Sequence, residues 1–335
     1  MEIQEYTSKM KRIYNSLLEF TDCSHEEQDE NLGNLLNILS TEKVLDNVYE
    51  IKEILILINK ITKNHFRVPG FFDRIEKIFA FFETKIKQIF TNSQIFNIFR
   101  NNKRVLLFLF NHKIIDVDQN ILDFILNHTI YAQNVKYKSY KYYFFNVIKE
   151  KVQPNKKTSI ENELLKIDPN IFDNFDEKCM VGENESLICS LIRNDSVEEF
   201  IAHVNRFNIS LSTKIPNSIF ETNSMLLKWN PRLIEYAVFY GSIQIFQYLK
   251  YNNVYLYRSL YPYSIHGRNP EIIHLLEENH FKISNDLVIQ SIKCHHNEFA
   301  SYFKDNIVNT DDSDDDYNYN TNNNNTNNNN NNDNQ

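Results

Sequence analysis

The residue types best suited to chemistry gather at three places in this chain. The first is Cys294-His295-His296, a thiol beside two imidazoles. Successive residues on a helix diverge by about 100°, whereas a zinc site needs three or four converging ligands. No second ligand pair accompanies the triplet, so it is expected to be a polar turn that holds no metal. The second place is 136–145, KYKSYKYYFF, where lysines alternate with aromatics. Single-stranded nucleic acid is gripped this way, lysine on phosphate and tyrosine on base. The same stretch also carries Tyr140, Tyr143, Phe144 and Val147 at helical spacing, which predicts an inward face with solvated lysines outside it. The inward face is the expectation. Single-strand binding through 136–145, with Arg100, Lys103 and Arg104 near in sequence, is the alternative. The third place is Trp229, just before Asn230-Pro231. It is read as a large aromatic sealing a helix start, with an exposed anchor for a partner as the other reading.

Reaction signatures are missing. The chain has no G-x-x-x-x-G-K, G-x-G-x-x-G, G-x-S-x-G or H-E-x-x-H, and its 5 glycines leave little room for variants. No catalytic residue and no cofactor is therefore expected, and the protein is not expected to be an enzyme. The formal charge of −8 is unevenly placed: the six aspartates of 310–335 face no lysine or arginine there, which leaves −2 for the rest. A body so nearly balanced has no general attraction for nucleic acid or an anionic membrane. Four scattered cysteines form no C-x-x-C, the start lacks an apolar signal region, and the longest apolar runs fall far short of a bilayer's thickness. Together these predict an intracellular protein, cytoplasmic or nuclear, with reduced thiols.

The elements that must position these residues come from a repeated step. Leu233, Leu260 and Leu287 are each 27 residues apart, as are Phe246, Ile273 and Ala300, then Leu249, Leu276 and Phe303. Small residues keep the step at Ala237, Ser264 and Ser291. Within each copy the apolar positions trace one helical face, break at a turn such as Gly241-Ser242, and trace a second. Each unit is thus predicted to be a helix, a tight turn and an antiparallel helix. The arithmetic sets His295 and His296 at the positions of Gly241 and Ser242, and His266 and His280 are also read as turn residues. Upstream, 105–114 (VLLFLFNHKI) aligns with 245–254 (IFQYLKYNNV), and the copy at 186–208 fits if about nineteen residues are inserted around 212–228, forming a short extra helix.

AVFYGSI, IFQYLKYNNV and IIHLLEENHF resemble the turn and second helix of an ankyrin repeat. ETNSMLLKWNPRLIEYAVFYGSIQIFQYL, IHGRNPEIIHLLEENHFKI and SIKCHHNEFASYF resemble, more narrowly, a divergent ankyrin-like domain of unknown function found in large protist protein families. The Thr-Pro-Leu-His start is missing, and 27 residues replace the usual 33, so long projecting fingers are not expected. The resemblance implies an all-α, ankyrin-like helix-pair solenoid. Its expected divisions are an N-terminal helical region (1–90), degenerate helix pairs (91–160), a connector (161–185), the clear repeats (186–309) and a disordered acidic, Asn-rich tail (310–335). Such stacks bind proteins on a concave face built from first helices and turns. The expected contacts to an unidentified protein partner are Glu235, Phe239 and Tyr240, then Tyr263, His266 and Arg268, then Lys293, His295 and His296. Nucleic acid is not the expected partner, and no membrane is.

Overall fold

Scarce glycine and proline leave long amphipathic segments uninterrupted, and a computed structural model shows these segments as helices. It describes residues 2–64, 70–128, 139–279 and 283–307. Among them are 20 α-helices and no strand, and Lys214 and Arg232 form an isolated antiparallel bridge. None of the helices is long and apolar enough to cross a membrane. The segments 136–138 and 310–335, His280 and Pro69 lie outside the described residues.

The expected N-terminal helical region is a run of amphipathic helices, each burying one apolar face. Helices α1 (Glu2–Asp22), α2 (Gln28–Thr41), α3 (Val48–Asn64) and α4 (Phe71–Ile89) bury Ile13 and Leu17, Leu35 and Leu39, Ile51, Ile54 and Ile58, and Ile78, Phe79 and Phe82. Helix α5 (Asn92–Phe99) starts at a capping box, Thr91 with Gln94, and α6 (Lys103–Asn111) at Asn102, whose side chain accepts the Val105 N–H. Helix α6 is buried on every side, because α5 and later helices enclose it. Helix α7 (Gln119–Asn127) and the single turns α8 (Tyr140–Tyr143) and α9 (Phe145–Ile148) follow. Helix α10 (Pro154–Leu165) runs across the expected boundary at 160, and α11 (Phe175–Val181) lies within 161–185. Pro154 suits a first helical position, and Ile160 with Leu164 gives α10 a narrow buried stripe that its polar composition hides.

A second core begins at Ile188. Helices α12 (Leu187–Arg193) and α13 (Val197–Arg206) form one pair, and the insertion contributes the predicted short helix, α14 (Ser224–Trp229). Three more pairs follow: α15 (Leu233–Tyr240) with α16 (Ile243–Tyr251), α17 (Leu260–Gly267) with α18 (Pro270–Glu278), and α19 (Asn285–Lys293) with α20 (Asn297–Asp305). First helices pack in the order α12, α15, α17, α19, and second helices in the order α13, α16, α18. Leu233, Leu260 and Leu287 are buried in these adjoining layers.

One turn joins the helices of each pair. Asp195, Gly241, Arg268 and His295 all take positive φ, the last three of them 27 residues apart. In three copies the next N–H bonds back over the turn: Ser196 to the Leu191 carbonyl, Ser242 to Ala237 and His296 to Ser291, at 2.9–3.0 Å. This is a Schellman closure, which satisfies carbonyls a helix end would otherwise leave open. A matching closure ends the second helices, with Ile209 donating to Val204 and Val254 to Leu249. Upstream, Ile114 donates to Leu109 after Lys113 at φ 53°, so the 105–114 segment keeps the geometry of its 245–254 counterpart.

The turns also bind one another. The Asp195 carboxylate accepts the N–H groups of Gln244 and Ile245, capping α16 of the next pair. Ser242 donates to the Ile192 carbonyl and Asn269 to the Gly241 carbonyl. Here the backbones nearly touch, since a Cβ on Gly267 would lie 2.2 Å from the Val238 oxygen.

The first core encloses a lysine. Lys103 is 1 % exposed, with Nζ 5.1 Å from the Tyr143 ring centre and 5.6 Å from that of Tyr140. Its Nζ has no hydrogen-bond partner among the described residues, and burial pushes its pKa down to about 8, with Cys179 and Glu221 partly opposing that.

Candidate partner-binding site

A stack of helix pairs should leave its first helices open along one face. In this chain the face is crossed by other parts of the molecule. Ile215 and Leu226 of the insertion join the second core, and α14 lies against α15 and α17. At the far end, α1 reaches two of the turns: the Tyr14 hydroxyl and His295 Nδ1 are 2.6 Å apart, and Asp22 lies 3.8 Å from the Arg268 guanidinium. Burial holds the Tyr14 hydroxyl above its ordinary pKa.

Burial corrects the expectation that nine side chains line an open surface. Glu235, Phe239, Tyr263, His266 and His296 are buried, Tyr240 and His295 are half-buried, and only Arg268 and Lys293 are exposed. Phe239 is fully buried, with its ring against those of Tyr263 and His266. Tyr240 stacks beside Tyr236 at 4.6 Å. Glu235 accepts the Arg232 N–H and the Ser259 hydroxyl, each at 2.7 Å. His266 is no turn residue: it sits in the last turn of α17, at the register of Phe239, with Nε2 3.6 Å from the Cys294 sulfur. His295 and His296 do form the predicted turn. Burial pushes the Cys294 thiol up to about 12, which leaves it a poor ligand or nucleophile. Among the described residues no three His, Cys, Asp or Glu side chains gather where a metal ion could be held.

The aromatic stretch is core as well. Tyr140, Tyr142, Tyr143, Phe144 and Phe145 are buried, Tyr140 donates to the Arg100 carbonyl, and Lys141 pairs with Glu163 at 2.7 Å. Rings so enclosed offer no stacking platform to a base. Arg104, also buried, lies over the Phe72 ring and near Glu76.

What stays open is a cleft beside α14. Trp229 is 42 % exposed, at the end of a helix and not at its start. Asn230 takes φ 47° there, a conformation asparagine tolerates, and this turns the chain before Pro231. On one side of Trp229 is a recess of about 290 Å³ walled by Met225, Pro262 and Tyr263 and rimmed by Lys214, Arg232 and Glu235. On the other is a recess of about 320 Å³ reaching Lys63, Lys228, His266 and Gln290. The Lys228 ammonium lies 4.5 Å from the Trp229 ring and the Arg232 guanidinium 4.4 Å from that of Tyr257. The cleft therefore has an apolar floor, an indole ridge and a cationic rim.

Sequence reasoning singled out Trp229, Glu235, Tyr263 and His266 but missed Met225, Pro262, Lys214 and Lys228. Their spacing follows no period, because the insertion and not the repeat places half the wall. Comparison with protein-family models, curated proteins and solved structures gives no match to this chain.

Proposed function

We propose that the C-terminal helix pairs form an ankyrin-like stack that acts as a non-enzymatic protein-binding module, and that its binding surface is the cleft around Trp229. The observation that carries this reading is a half-exposed tryptophan standing between two concave recesses. Tryptophan in a recessed, mostly apolar setting is the side chain most often found at the energetic centre of protein interfaces. The recesses are large enough for one or two side chains each, so an extended segment of the partner laid across the indole ridge fits them better than a flat surface would. Arg232 and Glu235 supply orienting polar groups at the rim, and Tyr263 and His266 contribute wall. Phe239 and His296 act within the core of the stack.

The test is site-directed photocrosslinking in the full-length chain. A photoreactive side chain at Lys228, on the rim, is compared with one at Glu198, exposed on α13 in the second-helix layer. A set of proteins trapped only from Lys228, with yield reduced about tenfold or more by Trp229→Ala, is the expected result. Identical sets from the two positions, or a yield indifferent to Trp229→Ala, would overturn the assignment.

A further inference from the structure

We infer that the segment bound by the cleft carries an aspartate or glutamate whose carboxylate enters the recess beside Lys63, with an apolar side chain two residues away seated over Met225, Pro262 and Tyr263. The inference rests on the reading of the cleft as a binding surface and adds the chemistry of its partner. The two recesses differ, and that difference carries it.

The larger recess holds uncompensated positive charge. Among the described residues that line it are Lys63 and Lys228 and no acid. Lys228 is exposed, and its ammonium already rests over the Trp229 ring. Lys63 is half-buried in the last turn of α3, and no ion pair with another described residue holds it. Burial and the nearby Arg100 both push its pKa down, and no acid acts against them. One desolvated cation is thus left to be balanced, and one carboxylate balances it. A phosphate would bring further negative charge with no second buried cation to meet it.

The same recess offers a spare donor. Asn223 is 2 % exposed and borders it. Its side-chain oxygen accepts the Met225 and Leu226 N–H groups, while its amide nitrogen has no hydrogen-bond partner among the described residues. What is left over here is a donor, as at Lys63, and a carboxylate is an acceptor only.

Spacing follows from the ridge. Met225, Trp229 and Pro262 border both recesses, so one aromatic ring separates them. In an extended segment, side chains two residues apart point the same way about 6.7 Å from each other, enough to straddle such a ring, and the residue between them points outward. The smaller recess takes the apolar side chain, because Met225, Pro262 and Tyr263 form its floor. Glu235 at its rim, already held by Arg232 and Ser259, repels a second carboxylate there.

The experiment selects phage-displayed random peptides on the full-length protein and discards those that also bind the Trp229→Ala protein. Expected are peptides with Asp or Glu two positions from Leu, Ile, Met or Phe. For the tightest of them, calorimetry measures what is lost when the acid is replaced by its amide. The loss should be about tenfold in Kd on the native protein and under about twofold on Lys63→Met. Lys304→Met, which removes an exposed lysine from α20, should leave the loss at its native value. Far-UV circular dichroism checks the variants, and the amide replacement on the native protein depends on no variant. Trp229-dependent peptides with no acidic preference, or an amide loss equal in the native and Lys63→Met proteins, would overturn the inference and leave the cleft a binding surface. So would a phosphoserine in place of the acid that binds about tenfold more tightly, since phosphate would then be the anion the recess reads. A selection that yields no Trp229-dependent peptide would overturn the reading of the cleft itself, and this inference with it.

Discussion

The N-terminal core packs aliphatic side chains with aromatic rings that follow no fixed step, such as Phe79 on Phe99 and Phe108, Phe96 on Phe124, and Tyr140 on Phe144. The C-terminal core sets its aliphatic and aromatic side chains at a fixed step, with turns that bond to the turns of neighbouring pairs. Both use the same closure at the end of a second helix, at Lys113 and at Asn253. The difference lies in what specifies position. Large rings fill an irregular space once, whereas a repeated leucine and a repeated turn set each layer by the one before it. The first arrangement can enclose a helix on all sides, as it does α6. The second can be crossed by an insertion without losing register, and that is what makes the cleft.

Removing a repeated leucine should break the stack most severely. Leu260→Ala empties a fully buried site between two layers and should cost about 4 kcal/mol in urea unfolding. A cost well under half of that would mean the layers do not rely on this contact. Gly267→Ala should come next, at about 3 kcal/mol, because the new methyl group meets the rigid Val238 carbonyl and the Gly241 backbone, not a yielding side chain.

Lys103→Met tests the charge buried in the first core and should act in the opposite direction. Below pH 8 the folded and unfolded chains both hold the lysine proton, and burying that charge is a standing penalty. Between pH 8 and 10.5 the folded chain has released it and the unfolded chain has not, so stability rises with pH across that window. Methionine should therefore stabilise the protein at pH 7 by on the order of 2 to 3 kcal/mol and flatten that rise. Denaturant midpoints across pH 7–10 check both.

Smaller effects sharpen the comparison. Tyr14→Phe removes the hydroxyl that joins α1 to the last turn of the stack and should cost about 1 kcal/mol, seen first as faster hydrogen exchange in α1 and α19. Gly33→Ala in α2 is the counterpart of Gly267→Ala. Nothing lies within 4 Å of the added methyl group and the site is helical, so a gain of about 0.5 kcal/mol is expected, read as a raised Tm.

The positions of the helices were largely written in the residues themselves. The 27-residue step located the turns at Gly241 and His295, and helical spacing located the helices on either side of them, because both depend on neighbours a few residues away. Tyr140 and Tyr143 were correctly read as inward for the same reason. His266 was misplaced because its polarity outweighed its register with Phe239.

Exposure of the candidate contacts was a different kind of question. Whether Glu235 and Tyr263 meet solvent depends on what lies beside them, and residues of the 212–228 insertion, Lys214 and Met225, share a recess with both. Local spacing determines which side of a helix is apolar, since that is a property of a few consecutive turns. Only the folded chain decides which polar side is then enclosed, because long-range packing brings together segments whose sequences carry no mark of each other.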